Sequence, residues 1–154
     1  MSFVTYLSLE GNKQGLISKG CSTADSIGNR YQLGREDEIQ VIGTNGTITF
    51  EQNVSNHPIQ ILKPIDKSSP LLGLAIRQNE ILTAILSFYR TSLQGSLEKF
   101  YEIKLTNVSI VDFSFIFPNS INNNDLMPYE KLSLRYESIS WRHLIAGTEA
   151  YIIF

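Results

Sequence analysis

Apolar residues recur with a period of two along most of the chain, the spacing that puts alternate side chains on one face of a strand. Val4-Thr5-Tyr6-Leu7-Ser8-Leu9 opens with such a run and stops at Glu10-Gly11-Asn12. Residues 11 to 36 are rich in Gly, Ser, Asn and Lys with weak periodicity, and read as a long surface loop carrying at most short strand pieces. Glu38 to Ile42 and Thr47 to Phe50 flank Gly43-Thr44-Asn45-Gly46. Asn-Gly between β-like runs predicts a hairpin or protruding loop there. Gln52 to His57 breaks the pattern, and Pro58 to Ile65 alternates again.

Asp66-Lys67-Ser68-Ser69-Pro70 has the chemistry of a helix start. A serine caps free N–H groups, and a first-turn proline gives up no hydrogen bond. Leu71, Leu72, Leu74, Ala75 and Ile76 follow at helical spacing up to Asn79. A short helix is predicted at about 69–78. Beyond it, Leu82, Ala84, Leu86 and Phe88 share one parity, while Ile85 and Tyr89 take the other, so both faces are expected to be covered. Thr91 to Ser96 is a turn with Gly95 near its tip. Tyr101, Ile103 and Leu105 alternate with polar residues, and Val111, Phe113, Phe115 and Phe117 form the next run, ending at Pro118. Asn119 to Asp125 is an Asn-rich loop. Glu130 to His143 reads as one long strand with Leu132, Leu134 and Tyr136 on one face. Ile139 and Trp141 have the opposite parity, which implies a bulge or a move between two sheets. Ala150 to Phe154 is an apolar edge strand. The prediction is an all-β-dominated fold, a small β-barrel of two sheets with one short flanking α-helix. At 154 residues the expectation is one domain, 1–154.

Composition then removes several function classes. Hydrophobic residues make up 42% and charged residues 18%, which argues against disorder. The net charge of −2 lacks the basic excess of a nucleic-acid binder. Arg90, Arg135 and Arg142 stand beside Tyr89, Tyr136 and Trp141, as in a stacking platform for bases. In a net negative chain they read better as arginines covering aromatic faces or pairing with Glu137 and Glu102. No apolar run approaches the roughly 20 residues of a membrane helix, so no membrane insertion is expected. The first residues have no basic stretch followed by an apolar core, so no signal peptide is read. The chain is expected in the cytoplasm, and to leave the cell, if it does, without a cleaved leader.

Reaction chemistry is also sparse. A lone Cys21 excludes an intramolecular disulfide and every cysteine-based zinc pattern. His57 and His143 are far apart in sequence without patterned carboxylates, and read as surface or edge histidines rather than metal ligands. No G-x-S-x-G elbow, H-E-x-x-H helix or phosphate-binding glycine loop is present. Asp66 reads as helping the chain turn into its helix. No cofactor, metal or catalytic residue is assigned, and no enzyme is expected.

A family resemblance adds what the residues alone do not. Ile61-Leu62-Lys63-Pro64-Ile65-Asp66-Lys67-Ser68-Ser69-Pro70-Leu71-Leu72 resembles the K-x-I-D-x-S-S/T-P-x-L segment of the Hcp tube proteins of bacterial type VI secretion. Phe88-Tyr89-Arg90 and the stretch Phe100 to Val108 resemble two further strands of that family. Glu130 to Trp141 is similar to its closing E-x-(I/L)-x-L-x-Y-x-x-I-x-W strand, with Gly147-Thr148 after it. Residues 11 to 58 match least. The resemblance implies a homo-hexameric ring, rings stacked into a hollow tube, and sheath, baseplate and spike proteins as partners. It implies secretion of the tube, with small effectors carried in the lumen. The chain stops just past the last motif, so no fused toxin is expected. Asn45, Gly46, Gln94 and Gly95, at loop tips, are the candidate ring–ring contacts. The alternative reading is a monomeric β-barrel that binds a small ligand or glycan.

Overall fold

The structure is a computed structural model and describes residues 3–30, 34–119, 121–122 and 127–154. Much of the predicted Asn-rich loop, at 120 and 123–125, lies outside the described residues. The strands are β1 (Phe3–Gly11), β2 (Gly15–Leu16), β3 (Ile39–Val41), β4 (Gly43–Asn45), β5 (Ile48–Glu51), β6 (Asn53–Asn56), β7 (Ile59–Pro64), β8 (Leu82–Thr91), β9 (Leu97–Ile116), β10 (Tyr129–Arg135), β11 (Ser138–His143) and β12 (Thr148–Ile153). The helices are α1 (Ala24–Ile27) and α2 (Ser69–Arg77).

Antiparallel ladders run β1–β8–β9–β10–β7–β4. β4 continues from β3 after Ile42, and β3 pairs with β1, so the circuit closes into a barrel. Two stretches pass from one sheet to the other. The β3–β4 stretch is short. β9 is 20 residues long: Leu97 to Val108 pairs with β8, and Ser109 to Ile116 with β10. The bend falls at Asn107, whose φ is +51°. Asparagine is among the few non-glycine residues that tolerate this region. β11 and β12 extend the first sheet beyond the barrel, with β11 on the free side of β9.

The core is filled from both sheets. Leu7, Leu9, Leu86 and Leu105 face Ile59, Ile61, Leu132 and Leu134, all buried. The segment read as a surface loop contributes Ile17 and Cys21, both fully buried, and contains α1. Its polar composition concealed this, because only isolated apolar residues point inward.

The helix forms as predicted, with Leu72 and Ala75 buried against the barrel and Pro70 in the first turn. The serine cap does not form as expected. Ser68 makes no side-chain cap bond. Instead its N–H and Oγ donate to Asp66 Oδ1 at 2.9 and 2.5 Å. Ser69 Oγ reaches Glu130 Oε1 at 2.6 Å. Lys63, with no exposed surface, joins the same cluster: its Nζ lies 2.6 Å from Glu130 Oε1, 3.1 Å from Asp66 Oδ1 and 2.9 Å from the Pro64 carbonyl. Lys63, Asp66, Ser68 and Ser69 of this segment, with Glu130, therefore form a largely buried polar joint between β7, β10 and the start of α2. A buried ammonium persists only with such partners.

Past α2, Asn79 adopts φ +49° and Glu80 turns inward. Glu80 accepts the N–H groups of Lys13 and Gln14 at 3.1 and 2.8 Å and the Gln14 side-chain amide at 3.0 Å. A Cβ at Gly11 would stand 1.8 Å from Glu80 Oε2, so any side chain there would have to displace that carboxylate.

Candidate functional site and assembly surfaces

The structure corrects the site of the predicted protrusion. Asn45 and Gly46 do not form a hairpin tip. Asn45 ends β4 opposite Gln60, and Gly46 lies against Ile59, whose Cγ1 would be 2.9 Å from an added Cβ. The hairpin is one element further on: β5 and β6 turn at Gln52, which takes φ +68°. The Asn-Gly signal was strong, while Gln52 carries none, and Asn53 to Asn56 looks too polar for a strand. Ladder pairs put Phe50 beside Val54 and Ile48 beside Asn56 on one hairpin face, with Thr49 beside Ser55 and Glu51 beside Asn53 on the other. Phe50 is 75% exposed and Val54 48%, so among the described residues this end of the apolar face is largely uncovered. The alternation Ile48, Phe50 and Val54 was the available signal for it.

Asn45 and Gly46 do share a site. They line a groove of about 420 Å³ at the open end of the barrel, with Phe88, Tyr101, Ile103 and Trp141 on its other walls. Those side chains are half-buried. Gln94 and Gly95 lie elsewhere, at the tip of the β8–β9 hairpin as predicted. The Ser92 N–H donates to the Ser96 carbonyl at 2.7 Å, and Gly95 takes φ +86°. Leu93 beside them is fully exposed.

The residues weighed for chemistry have structural surroundings. Cys21 is buried, its thiol donating to the Ile17 carbonyl at 3.4 Å. Desolvation, reinforced by the Asp66 charge, pushes the thiol up to about 11. That is opposite to the environment of a reactive cysteine. His57 Nε2 lies 3.2 Å from Thr49 Oγ1 beside the β5–β6 hairpin, and His143 belongs to the β11–β12 turn. No group of three metal-ligating side chains converges among the described residues. Arg90 does cover an aromatic, but it is Phe100, at 4.8 Å, and its carboxylate is Glu98, at 3.1 Å. Tyr89 is covered by Arg35 at 4.2 Å. Arg142 stands opposite Glu102 in the β9–β11 ladder. No helix of the described residues is long and apolar enough to cross a membrane.

Comparison with known proteins identifies the family. The family model for the type VI secretion system effector Hcp matches residues 6–143. The "Major exported protein" of Pseudomonas aeruginosa strain PAO1 is 35% identical over 160 residues, covering 96% of this chain and 93% of that one. YhhZ of Escherichia coli K12 is 40% identical over 156 residues, covering 97% of this chain and 37% of that longer protein. A crystal structure of an Hcp protein superposes with a TM-score of 0.93 at 32% identity, covering 99% of this chain and 98% of that one. The chain belongs to the Hcp family of type VI secretion proteins.

Proposed function

We propose that this chain is a structural subunit of a type VI secretion inner tube, acting as one Hcp-like unit across residues 1–154. Copies close into a hexameric ring, and rings stack into a hollow tube. The tube is assembled in the cytoplasm inside a sheath, meets baseplate and spike, and is expelled. Its lumen holds small effectors. The role is mechanical rather than catalytic.

The observation that carries this reading is the largely uncovered apolar face of the β5–β6 hairpin, with Phe50 at its centre. A lone two-stranded hairpin is marginal in water. Its apolar face therefore needs a surface to rest on, and a second copy supplies one. Contacts between unlike patches of identical subunits close into rings when the rotation permits. The exposed Leu93, Gln94 and Gly95 tip and the Asn45–Gly46 wall of the groove remain the proposed ring–ring contacts.

Light scattering after gel filtration, with negative-stain imaging, tests the reading. Particles of about six copies with a central hole are expected. Solitary monomers at high concentration would overturn it. Phe50→Ser should keep the fold, since an exposed side chain is lost, and weaken assembly.

A second reading, a monomeric barrel that binds a small ligand or glycan, is favoured by one observation. The groove beside Trp141 and Tyr101 is of the size that takes small molecules. A sugar or metabolite that raises the melting temperature of a monomer would select this reading.

A further inference from the structure

The turn between β11 and β12 is held by one residue through two of its atoms. The His143 carbonyl accepts the Gly147 N–H at 2.9 Å, and His143 Nδ1 accepts the Ala146 N–H at 3.0 Å. An imidazole nitrogen accepts a hydrogen bond only when it carries no proton. The geometry therefore requires the neutral ring, with its proton on Nε2. Aromatic neighbours fix the ring: Phe100 stands edge-on at 6.0 Å and Tyr101 at 6.2 Å. The Leu144 N–H donates to the Phe100 carbonyl at 2.9 Å, so the turn is also pinned to β9.

A proton on Nδ1 would set N–H against N–H and abolish the Ala146 bond. Charged groups of both signs stand around the ring. Glu149 of β12 lines the same small groove as His143, Tyr101 and Thr148. Burial raises the Tyr101 hydroxyl, which stays neutral at mildly acidic pH. Arg142, the next residue along β11, stands between Glu102 of β9 and Glu149 of β12. Arg90 lies over the Phe100 ring and is bonded to Glu98.

We infer that His143 is a protonation-sensitive latch on the β11–β12 turn. The neutral ring closes residues 144–147. The imidazolium releases them and loosens β12, whose only ladder among the described residues is to β11.

Hydrogen–deuterium exchange by mass spectrometry, on peptides spanning residues 144–153 of the full chain in whatever assembly it forms, tests the latch. After correction for intrinsic exchange, protection should fall roughly tenfold between about pH 7.5 and about pH 5, the loss of one hydrogen bond. His143→Asn offers an oxygen to the same N–H and does not titrate, so its protection should stay flat. His143→Phe lacks an acceptor and should be poorly protected at both values. Unchanged wild-type protection, or an equal fall in His143→Asn, would overturn the latch. Neither outcome bears on ring formation.

Discussion

Asn107 Nδ2 donates to Glu137 Oε2 at 2.8 Å, and the bond joins two of the places where the chain changes sheets. Asn107 is the bend of β9. Glu137 stands in the break between β10, which pairs in one sheet, and β11, which pairs in the other. The Glu137 N–H also reaches the Thr106 carbonyl at 3.2 Å. Asn107→Val should cost about 2–3 kcal/mol, since it removes the bond and forces a β-branched residue to positive φ. Asn107→Gly keeps the backbone at ease and should cost about 1 kcal/mol. Urea midpoints of the two variants check the order.

Lys63 compensates two buried carboxylates, Glu130 and Asp66. Lys63→Met should therefore destabilise by about 3–5 kcal/mol, because it leaves charge buried without a counter-ion. Adding Glu130→Gln should recover part of that loss by removing one orphaned charge. A double variant no better than the single one, by denaturant unfolding, would contradict the account.

Stability should fall in acid partly through Glu80. Burial pushes this carboxyl up, but the hydrogen bonds from Gln14 and Lys13 outweigh it and hold the group below its ordinary value. A depressed carboxylate contributes stability that is complete above its unfolded value and is lost as pH falls through the folded one. Below the ordinary carboxylate range, the clamp on residues 12–14 should weaken. In Glu80→Gln, stability against pH should be flatter over that acidic limb and lower at neutral pH. Gly11→Ala should destabilise and flatten the same acidic limb, by pushing a Cβ into the carboxylate that accepts those bonds.

The candidate ring–ring contacts are open to oxidative cross-linking. Asn45→Cys and Gln94→Cys suit this better than their glycine neighbours. Gly46 has no room for a side chain, and Gly95 sits at positive φ. Buried Cys21, protonated at neutral pH, should stay silent. A ladder of multimers on a non-reducing gel is expected from the double variant. Its absence would discard these contacts, though not the fold.

What could be read in the chain, and what could not, divides along physical lines. The helix was legible because Ser-Ser-Pro followed by apolar residues at helical spacing is a local signal. The sheet change near residue 137 was legible too, because Ile139 and Trp141 fall out of parity with Leu132 and Leu134. β9 read as two separate strands, since the bend at Asn107 resets the alternation and its continuity is visible only in the ladders. The hairpin was placed too early because turn chemistry at Asn45–Gly46 outweighed the silent Gln52. The Lys63–Glu130 pair joins residues far apart in sequence, and no local pattern shows that a lysine will be buried.

β9 belongs to both sheets at once, so neither can slide or peel away without dragging the other through a shared covalent spine. At about 3.3 Å per residue, that strand has a contour near 65 Å. A push applied at one end of the subunit is thereby carried lengthwise by main-chain bonds, not by side-chain friction between layers. Such a body should yield all at once or not at all.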